Sequence, residues 1–308
     1  MKETIVKVEH LFHRYSAQWA VQDISFEINQ RGVMGLLGSN GAGKSTTMNI
    51  ICGVLNQTRG NVYIQGVELR KEPEKAKMHI GFLPQKAPLH LDLTVDEYLE
   101  HCAELRMVEK KKVKLAVEEA KARCGIAHFS KRLLRNLSGG YQQRVGIAQA
   151  IIHNPKFVVL DEPTNGLDPN QILEIRNLIK KIAENRTVIL STHMLTEVQA
   201  ICNHILMVEE GHMVFSGSVD EFDNYITPNT VFVSLLDAPA PEVLIEVPGV
   251  TRVEELGGTK FRLIASDVND VIEQMVEYSY KNAWRLNEIR VEKSSLNAIF
   301  AELSKKSK

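Results

Sequence analysis

Short, wholly apolar runs alternate along this chain with longer stretches in which apolar residues recur every three to four positions. Val33-Met34-Gly35-Leu36-Leu37, Phe157-Val158-Val159-Leu160 and Thr187-Val188-Ile189-Leu190 lack the polar alternation of a half-exposed strand. They predict strands buried on both faces of a parallel sheet. Ile5 to Ile28 predicts antiparallel strands broken by a loop at Tyr15, and Val62-Tyr63-Ile64 with Val67 continues that small sheet. Residues 86–135 then interrupt the α/β pattern. Val95, Tyr98, Leu99, Cys102 and Ala103 form a helical stripe behind a capping box of Thr94 and Glu97. A second stripe, Val113, Ala116, Val117, Ala120 and Cys124, is stopped by Gly125 as its C′ residue.

The composition shifts near Pro228. Beyond it, Thr230 to Leu235 predicts a strand and Pro241 to Val247 a short helix. Val250 to Leu256 and Lys260 to Ile264 predict two strands joined at Gly257-Gly258, a hairpin signal. Val268 to Tyr278 predicts an amphipathic helix and Arg285 to Val291 a final strand. This βαββαβ order resembles a small ferredoxin-like domain. A terminal helix follows, with Leu296, Ile299, Phe300 and Leu303 on one face. The expected domains are residues 1–222, with a helical subdomain at about 86–136, and residues 228–308 as an accessory α+β unit.

Chemistry enters where the apolar runs end. After Leu37 come Gly38-Ser39-Asn40-Gly41-Ala42-Gly43-Lys44-Ser45-Thr46, a P-loop in its strand, glycine loop, helix context. The glycines let backbone N–H groups form a concave nest, and the helix N-terminus adds positive potential for phosphate. Lys44 is expected at the β- and γ-phosphates, and the Ser45 hydroxyl at Mg²⁺. The run 157–160 ends in Asp161-Glu162-Pro163-Thr164. Strands of parallel sheets deliver polar residues at their C-terminal ends, where ligands bind. Asp161 is expected to hold Mg²⁺, directly or through water, and Glu162 to polarise or orient the water that attacks the γ-phosphate.

Charge and cysteines narrow the class. The 37 Lys plus Arg against 38 Asp plus Glu give no basic excess, so a nucleic-acid partner is not expected. Met1-Lys2-Glu3-Thr4-Ile5 lacks the apolar core of a signal peptide, and no stretch approaches the ~20 apolar residues of a membrane span. Cys52, Cys102, Cys124 and Cys202 lack metal-ligand spacing and read as free thiols. A soluble, cytosolic chain is the expectation.

Between the two nucleotide motifs lies Leu137-Ser138-Gly139-Gly140-Tyr141-Gln142-Gln143-Arg144, on its own an N-cap and turn before a helix. The order of P-loop, Gln85, Leu-Ser-Gly-Gly-Tyr-Gln, Leu-Asp-Glu-Pro-Thr and Ser-Thr-His resembles the ATPase subunit of ATP-binding-cassette (ABC) transporters over about residues 4–220. The resemblance implies a P-loop NTPase core of α/β class, with an antiparallel β subdomain and a helical subdomain. It implies that Tyr15 stacks on adenine, and that Gln85 contacts Mg²⁺ and the attacking water. It assigns Ser138, Gly139 and Gly140, with Gln142 closing the motif, to the signature that closes over the γ-phosphate. Asp168, in Asn165-Gly166-Leu167-Asp168, matches the loop that communicates between sites, and His193 the switch histidine that senses the γ-phosphate.

The same resemblance implies ATP and Mg²⁺ as ligands, a head-to-tail homodimer and a separate polytopic membrane subunit, with the chain peripheral on the cytoplasmic face of the membrane. Leu89, Leu91 and Leu93 are the expected docking surface for a partner helix. The tail, and the segment from Leu83 to Val95, resemble cassettes of drug, polysaccharide and lipid exporters and of gliding motility. Only about fifty residues separate Gln85 from Ser138, without sustained heptads, unlike the related chromosome-associated ATPases. A single P-loop and signature sets the chain apart from two-cassette translation ATPases. A regulatory or assembly ATPase acting on a soluble partner is the alternative reading.

Overall fold

The computed structural model describes residues 4–223, 225 and 229–292. The expected terminal helix lies outside them. The chain divides at Val219 and Asp220 into two compact units.

The first unit holds two sheets. Strands β1 (Val6–Tyr15) and β2 (Gln18–Ile28) form a hairpin turning at Ser16 and Ala17. The wholly apolar run forms β3 (Gly32–Leu37), which leads through the P-loop into helix α1 (Lys44–Ile51). Strands β4 (Arg59–Ile64) and β5 (Val67–Glu68) then complete an antiparallel sheet of order β2-β1-β4-β5. Helix α2 (Pro73–Lys77) and strand β6 (Ile80–Leu83) precede the insertion.

The insertion supplies α3 (Val95–Leu105) and α4 (Val113–Cys124), and α5 (Gly139–Ile151) follows it. Both terminus signals read from the sequence are present. Thr94 and Glu97 form a reciprocal capping box, and Gly125 ends α4 at φ 68°. Lys121, 1% exposed, bonds through Nζ to Asp96 at 2.5 Å, Glu118 at 2.7 Å and Ser130 at 2.8 Å. This one cation ties three parts of the insertion together, and removing a partner would leave buried charge uncompensated.

The core sheet is completed by β7 (Phe157–Asp161), α6 (Pro169–Ala183), β8 (Thr187–Thr192), α7 (Leu195–Ile201), β9 (His204–Glu209) and β10 (His212–Ser218). Its order is β10-β9-β3-β8-β7-β6; β3, β6, β7, β8 and β9 pair in parallel and β10 is antiparallel. Side chains alternate across it, as a period of two requires. Val158, Leu160, Val188 and Leu190 pack with the helices of the insertion and α6, while Phe157, Val159, Ile189 and Leu36 pack with the antiparallel sheet and α1. Burial on both faces is the reason these runs carry no polar residue but Thr187, whose hydroxyl donates to Gln30 O at 2.9 Å. All the parallel strands end toward one edge, where the P-loop, Glu162 and His193 follow β3, β7 and β8.

The second unit begins within α8 (Val219–Asp223). Its strands β11 (Thr230–Leu235), β12 (Val250–Gly257), β13 (Lys260–Ala265) and β14 (Leu286–Glu292) pair antiparallel in the order β12-β13-β11-β14. Helices α9 (Pro241–Ile245) and α10 (Val268–Lys281) pack with it around Phe261, Leu263, Val271, Met275 and Trp284. Asp267 caps α10 by accepting from the N–H groups of Asn269 and Asp270.

Candidate active site

Gly38 and Gly43 show why this loop requires glycine. A Cβ at Gly38 would stand 2.1 Å from the Val208 carbonyl, and one at Gly43 would stand 2.4 Å from that of Ala20. Gly43 also has φ 103°, a conformation that L side chains rarely adopt. The loop is thus clamped between β9 and β2, leaving Asn40 and Gly41 exposed and Ala42 buried. The turn at Gly211 ties these parts together, donating to Ala42 O at 3.0 Å and accepting from Gln22 N at 2.8 Å.

The loop's polar groups form a closed set. Lys44, buried, donates from Nζ to Gly38 O at 3.0 Å and Ser39 O at 2.8 Å. Burial lowers its pKa, while Glu162, Asp161 and Glu209 oppose that shift. Ser39 donates its hydroxyl to Glu209 Oε1 at 2.7 Å and its N–H to Oε2 at 3.3 Å. Ser45 donates to Asp161 Oδ1 at 3.3 Å, and Ser191 donates to the same oxygen. Thr46, half-buried, lies on the first turn of α1.

Asp161 ends β7, and Glu162 leaves it at φ 47°, a left-handed conformation strained for a non-glycine residue. Its N–H is held by Ser191 O at 3.2 Å and Ser191 Oγ at 3.0 Å. Three side chains then converge on its carboxylate. Gln85 Nε2 and Asn165 Nδ2 each stand 3.2 Å from Oε2, and His193 Nδ1 stands 3.2 Å from Oε1. Sequence reading found Gln85, Glu162 and His193 separately; the fold joins them.

Beneath this cluster lies Glu197, 2% exposed, which accepts from Thr164 Oγ1 at 2.5 Å and Thr192 Oγ1 at 3.0 Å. It fixes the end of β8 against the turn after Glu162. Sequence reading missed Glu197, Ser191 and Glu209. For Glu209 a signal exists: it follows the apolar run Ile205-Leu206-Met207-Val208, as Asp161 follows its own. Ser191 and Glu197 carry no comparable mark.

The hydroxyl and carboxylate pair of Ser45 and Asp161 offers hard oxygen ligands, a donor set that suits Mg²⁺ completed by phosphate and water. No cluster of three or more His, Cys, Asp or Glu occurs among the described residues, so an all-protein metal cage is absent there.

The signature stands apart. Ser138 is exposed and is the N-cap residue of α5, without a side-chain cap bond. Gly139 borders open space, with no atom within 4 Å of where a Cβ would stand, and Gly140 abuts Gln171. Gln142 donates to Leu134 O at 3.0 Å, so its amide holds the preceding turn. Asp168 caps α6, accepting from Gln171 N at 2.9 Å. Ser138, Gly140, Asp168 and Gln171 line one hollow of about 280 Å³ that includes no P-loop residue.

Tyr15 sits at the tip of the β1–β2 hairpin, 52% exposed, its ring edge-on to His13 at 4.7 Å between centroids. Ala20, where β2 touches the P-loop, lies shortly after Gln18, the cross-strand partner of Tyr15. The leucines divide. Leu89 and Leu93 pack against the core, leaving Leu91 exposed at 47%. Leu89 and Leu93 are half-buried there, so part of each side chain remains open beside Leu91.

Comparison with known proteins agrees with this architecture. A family model described as ABC transporter matches residues 21–165. An uncharacterized ABC transporter ATP-binding protein of Bacillus subtilis (strain 168) is 31% identical over 308 residues, covering 99% of this chain and 98% of the relative. The bacitracin transport ATP-binding protein BcrA of Bacillus licheniformis is 35% identical over 213 residues, covering 68% of this chain and 69% of the relative. An ATP-binding cassette solved as a dimer in a post-hydrolysis state, with ADP and Pi, superposes with a TM-score of 0.64 at 26% identity, covering 70% of this chain and 99% of that one. Among the described residues no helix is long and apolar enough to cross a membrane. A P-loop core, a helical insertion followed by the signature and a relative matched over 99% of this chain lead to one conclusion: the chain belongs to the ATP-binding subunits of ABC transporters, the ATPases that couple hydrolysis to transport.

Proposed function

We propose that this subunit binds ATP with Mg²⁺ on the P-loop, closes head-to-tail on a second copy of itself and drives export through separate membrane subunits. The observation that carries hydrolysis is the Glu162 carboxylate, gathered by Gln85, Asn165 and His193 beside the Ser45–Asp161 pair. Lys44 exchanges its loop carbonyls for the β- and γ-phosphates, and the P-loop N–H groups hold the remaining phosphate oxygens. Ser45 and Asp161, with Gln85 as a third candidate, would hold Mg²⁺, which would supply charge neutralisation at the phosphates. Glu162 orients and polarises the attacking water, and His193 and Gln85 report the γ-phosphate to β8 and the helical insertion. Tyr15 stacks on the base.

Ser138, Gly139, Gly140, Gln142 and Asp168 are assigned to a partner copy's nucleotide. Support comes from the hollow that Ser138, Gly140 and Asp168 share without the P-loop, with Gly139 open beside them. One heterologous contact used twice about a two-fold axis makes two sites. The direction, export, rests on the resemblance to exporter cassettes and on the bacitracin transport relative. Placement on the cytoplasmic face follows from that partnership. The membrane subunit's helix is assigned to the groove of about 330 Å³ beside Arg106, where Met78, Met107 and Leu115 are 58%, 80% and 60% exposed. The second unit is assigned a ferredoxin-like fold on its βαββαβ order.

Glu162→Gln tests this reading. ATP binding should survive, turnover should fall by roughly 10²–10⁴-fold, and sedimentation should show ATP-driven dimers. Monomers insensitive to ATP, or near-normal turnover, would overturn it.

A further inference from the structure

At the opposite edge of the core sheet from the ATP site lies a second cleft, of about 630 Å³. Strands β3, β7 and β8 begin there, at Gly32, Phe157 and Thr187, and reach the P-loop, Asp161 and Thr192 at their other ends. Five or six residues of strand separate the two edges by roughly 16–20 Å. The cleft is therefore distinct from the nucleotide site.

Its lining is charged with one sign. Arg31, Arg123, Lys156, Lys181 and Arg186 all border it, and no Asp or Glu does. In a chain of net charge −1, five cations around one hollow are a local concentration rather than a reflection of composition. Arg186 is the informative member. It is 6% exposed, and its side-chain hydrogen bond runs to Asn154 Oδ1 at 2.6 Å, a neutral acceptor. Among the described residues no carboxylate pairs with it. Arg123 adds like charge; its own partner, Glu119, stands 3.5 Å away outside the lining. Burial first, and then the neighbouring Arg123, push the Arg186 pKa down, while Cys124 and Glu119 oppose them only in part. A buried guanidinium normally sits against a carboxylate or phosphate, because an uncompensated charge at low dielectric is destabilising. No residue lining this cleft can serve as that anion.

We propose that this cleft is a binding site for a multivalent phosphate-bearing anion, with Arg186 as its buried anchor and Arg31, Arg123, Lys156 and Lys181 as its rim. Arg186 offers a planar donor fork suited to phosphate oxygens. Lys156 and Lys181 are exposed and supply attraction that salt screens. The ligand chemistry belongs equally to a soluble polyphosphate and to a lipid headgroup.

Tripolyphosphate, titrated by calorimetry into the full-length Lys44→Ala chain, tests the site with the P-loop contact weakened. Vesicles of phosphatidylcholine with and without phosphatidylglycerol form the parallel arm. One saturable event is expected, lost or strongly weakened by Arg186→Gln. The double variant Lys156→Gln/Lys181→Gln should weaken it about threefold to tenfold, the sum of two exposed charge contacts. Those lysines lie on the surface, so this variant carries the test if Arg186→Gln fails to fold. Binding confined to anionic vesicles, and lost in the same variants, assigns the anion to a headgroup. Absence of saturable binding in both arms, or binding unchanged by the cleft variants, overturns the proposal.

Discussion

The P-loop and the signature are both glycine-rich turns opening a helix, yet their polar groups have different fates. Around the P-loop, Lys44, Ser39 and Ser45 each have a partner inside the chain: two carbonyls, Glu209 and Asp161. At the signature, Ser138 is exposed without a cap bond and Gly139 faces open space. The first turn can hold its shape alone. The second stays open at Ser138 and Gly139, which is what the proposed site shared between two copies requires.

The largest expected effect comes from the self-contained half. Lys44→Ala should abolish measurable ATP turnover, whereas Lys111→Ala, on an exposed ion pair with Glu109, should leave it unchanged. Equal losses in a steady-state ATPase assay would remove the distinction between site and surface. The next test joins the halves. Ser138→Arg should abolish turnover while leaving binding of a fluorescent ATP analogue largely intact. Mixed with Lys44→Ala, it should regain about a quarter of wild-type turnover, since half the dimers would carry one intact site in two. A mixture that stays inactive and fails to associate with ATP would place both halves in one chain.

A smaller effect on hydrolysis, but a large one on location, is expected at the helical insertion. Met107→Glu with Leu115→Glu should release the protein from membranes, read by fractionation, while basal ATPase stays within a few-fold of normal. The smallest lies just past the far end of the signature helix. His153 is packed so that burial, with Arg106 nearby, lowers its pKa to about 4, and its Nε2–H donates to Ile80 O at 3.0 Å. The folded state keeps it neutral while the unfolded chain takes up a proton below about pH 6.5, so its contribution is intact above that pH and is lost as pH falls toward 4. His153→Gln should flatten the decline in melting temperature between pH 7 and pH 5 by roughly 2–4 °C. An unchanged pH profile would show that His153 is not the group responsible.

What the sequence showed was contiguous. The P-loop, the signature and Asp161-Glu162 are runs of neighbours whose backbone shape is set locally, and the capping box and Gly125 are equally local. Glu209 meets Ser39 across 170 residues because β9 lies beside β3, and strand order is not written in either segment. The same holds for the convergence on Glu162 and for the basic cleft, whose cations come from positions 31, 123, 156, 181 and 186. Strand β6 and helix α2 are short, four and five residues, too brief for a periodicity to mark them. Leu89 and Leu93, half-buried against the core, show a different limit. An apolar run in a loop reads the same whether it faces a partner or its own core.

The left-handed backbone of Glu162 carries a consequence for anyone breeding a sturdier version of this ATPase. A residue with a Cβ held there costs about 1 kcal/mol relative to glycine. Glu162→Gly would relieve that strain but would also remove the carboxylate that Gln85, Asn165 and His193 surround, three contacts worth about 0.5–1.5 kcal/mol each. A screen on melting temperature would therefore see little at this position, and a screen that also counts turnover is the one that would register the proposed role of its carboxylate.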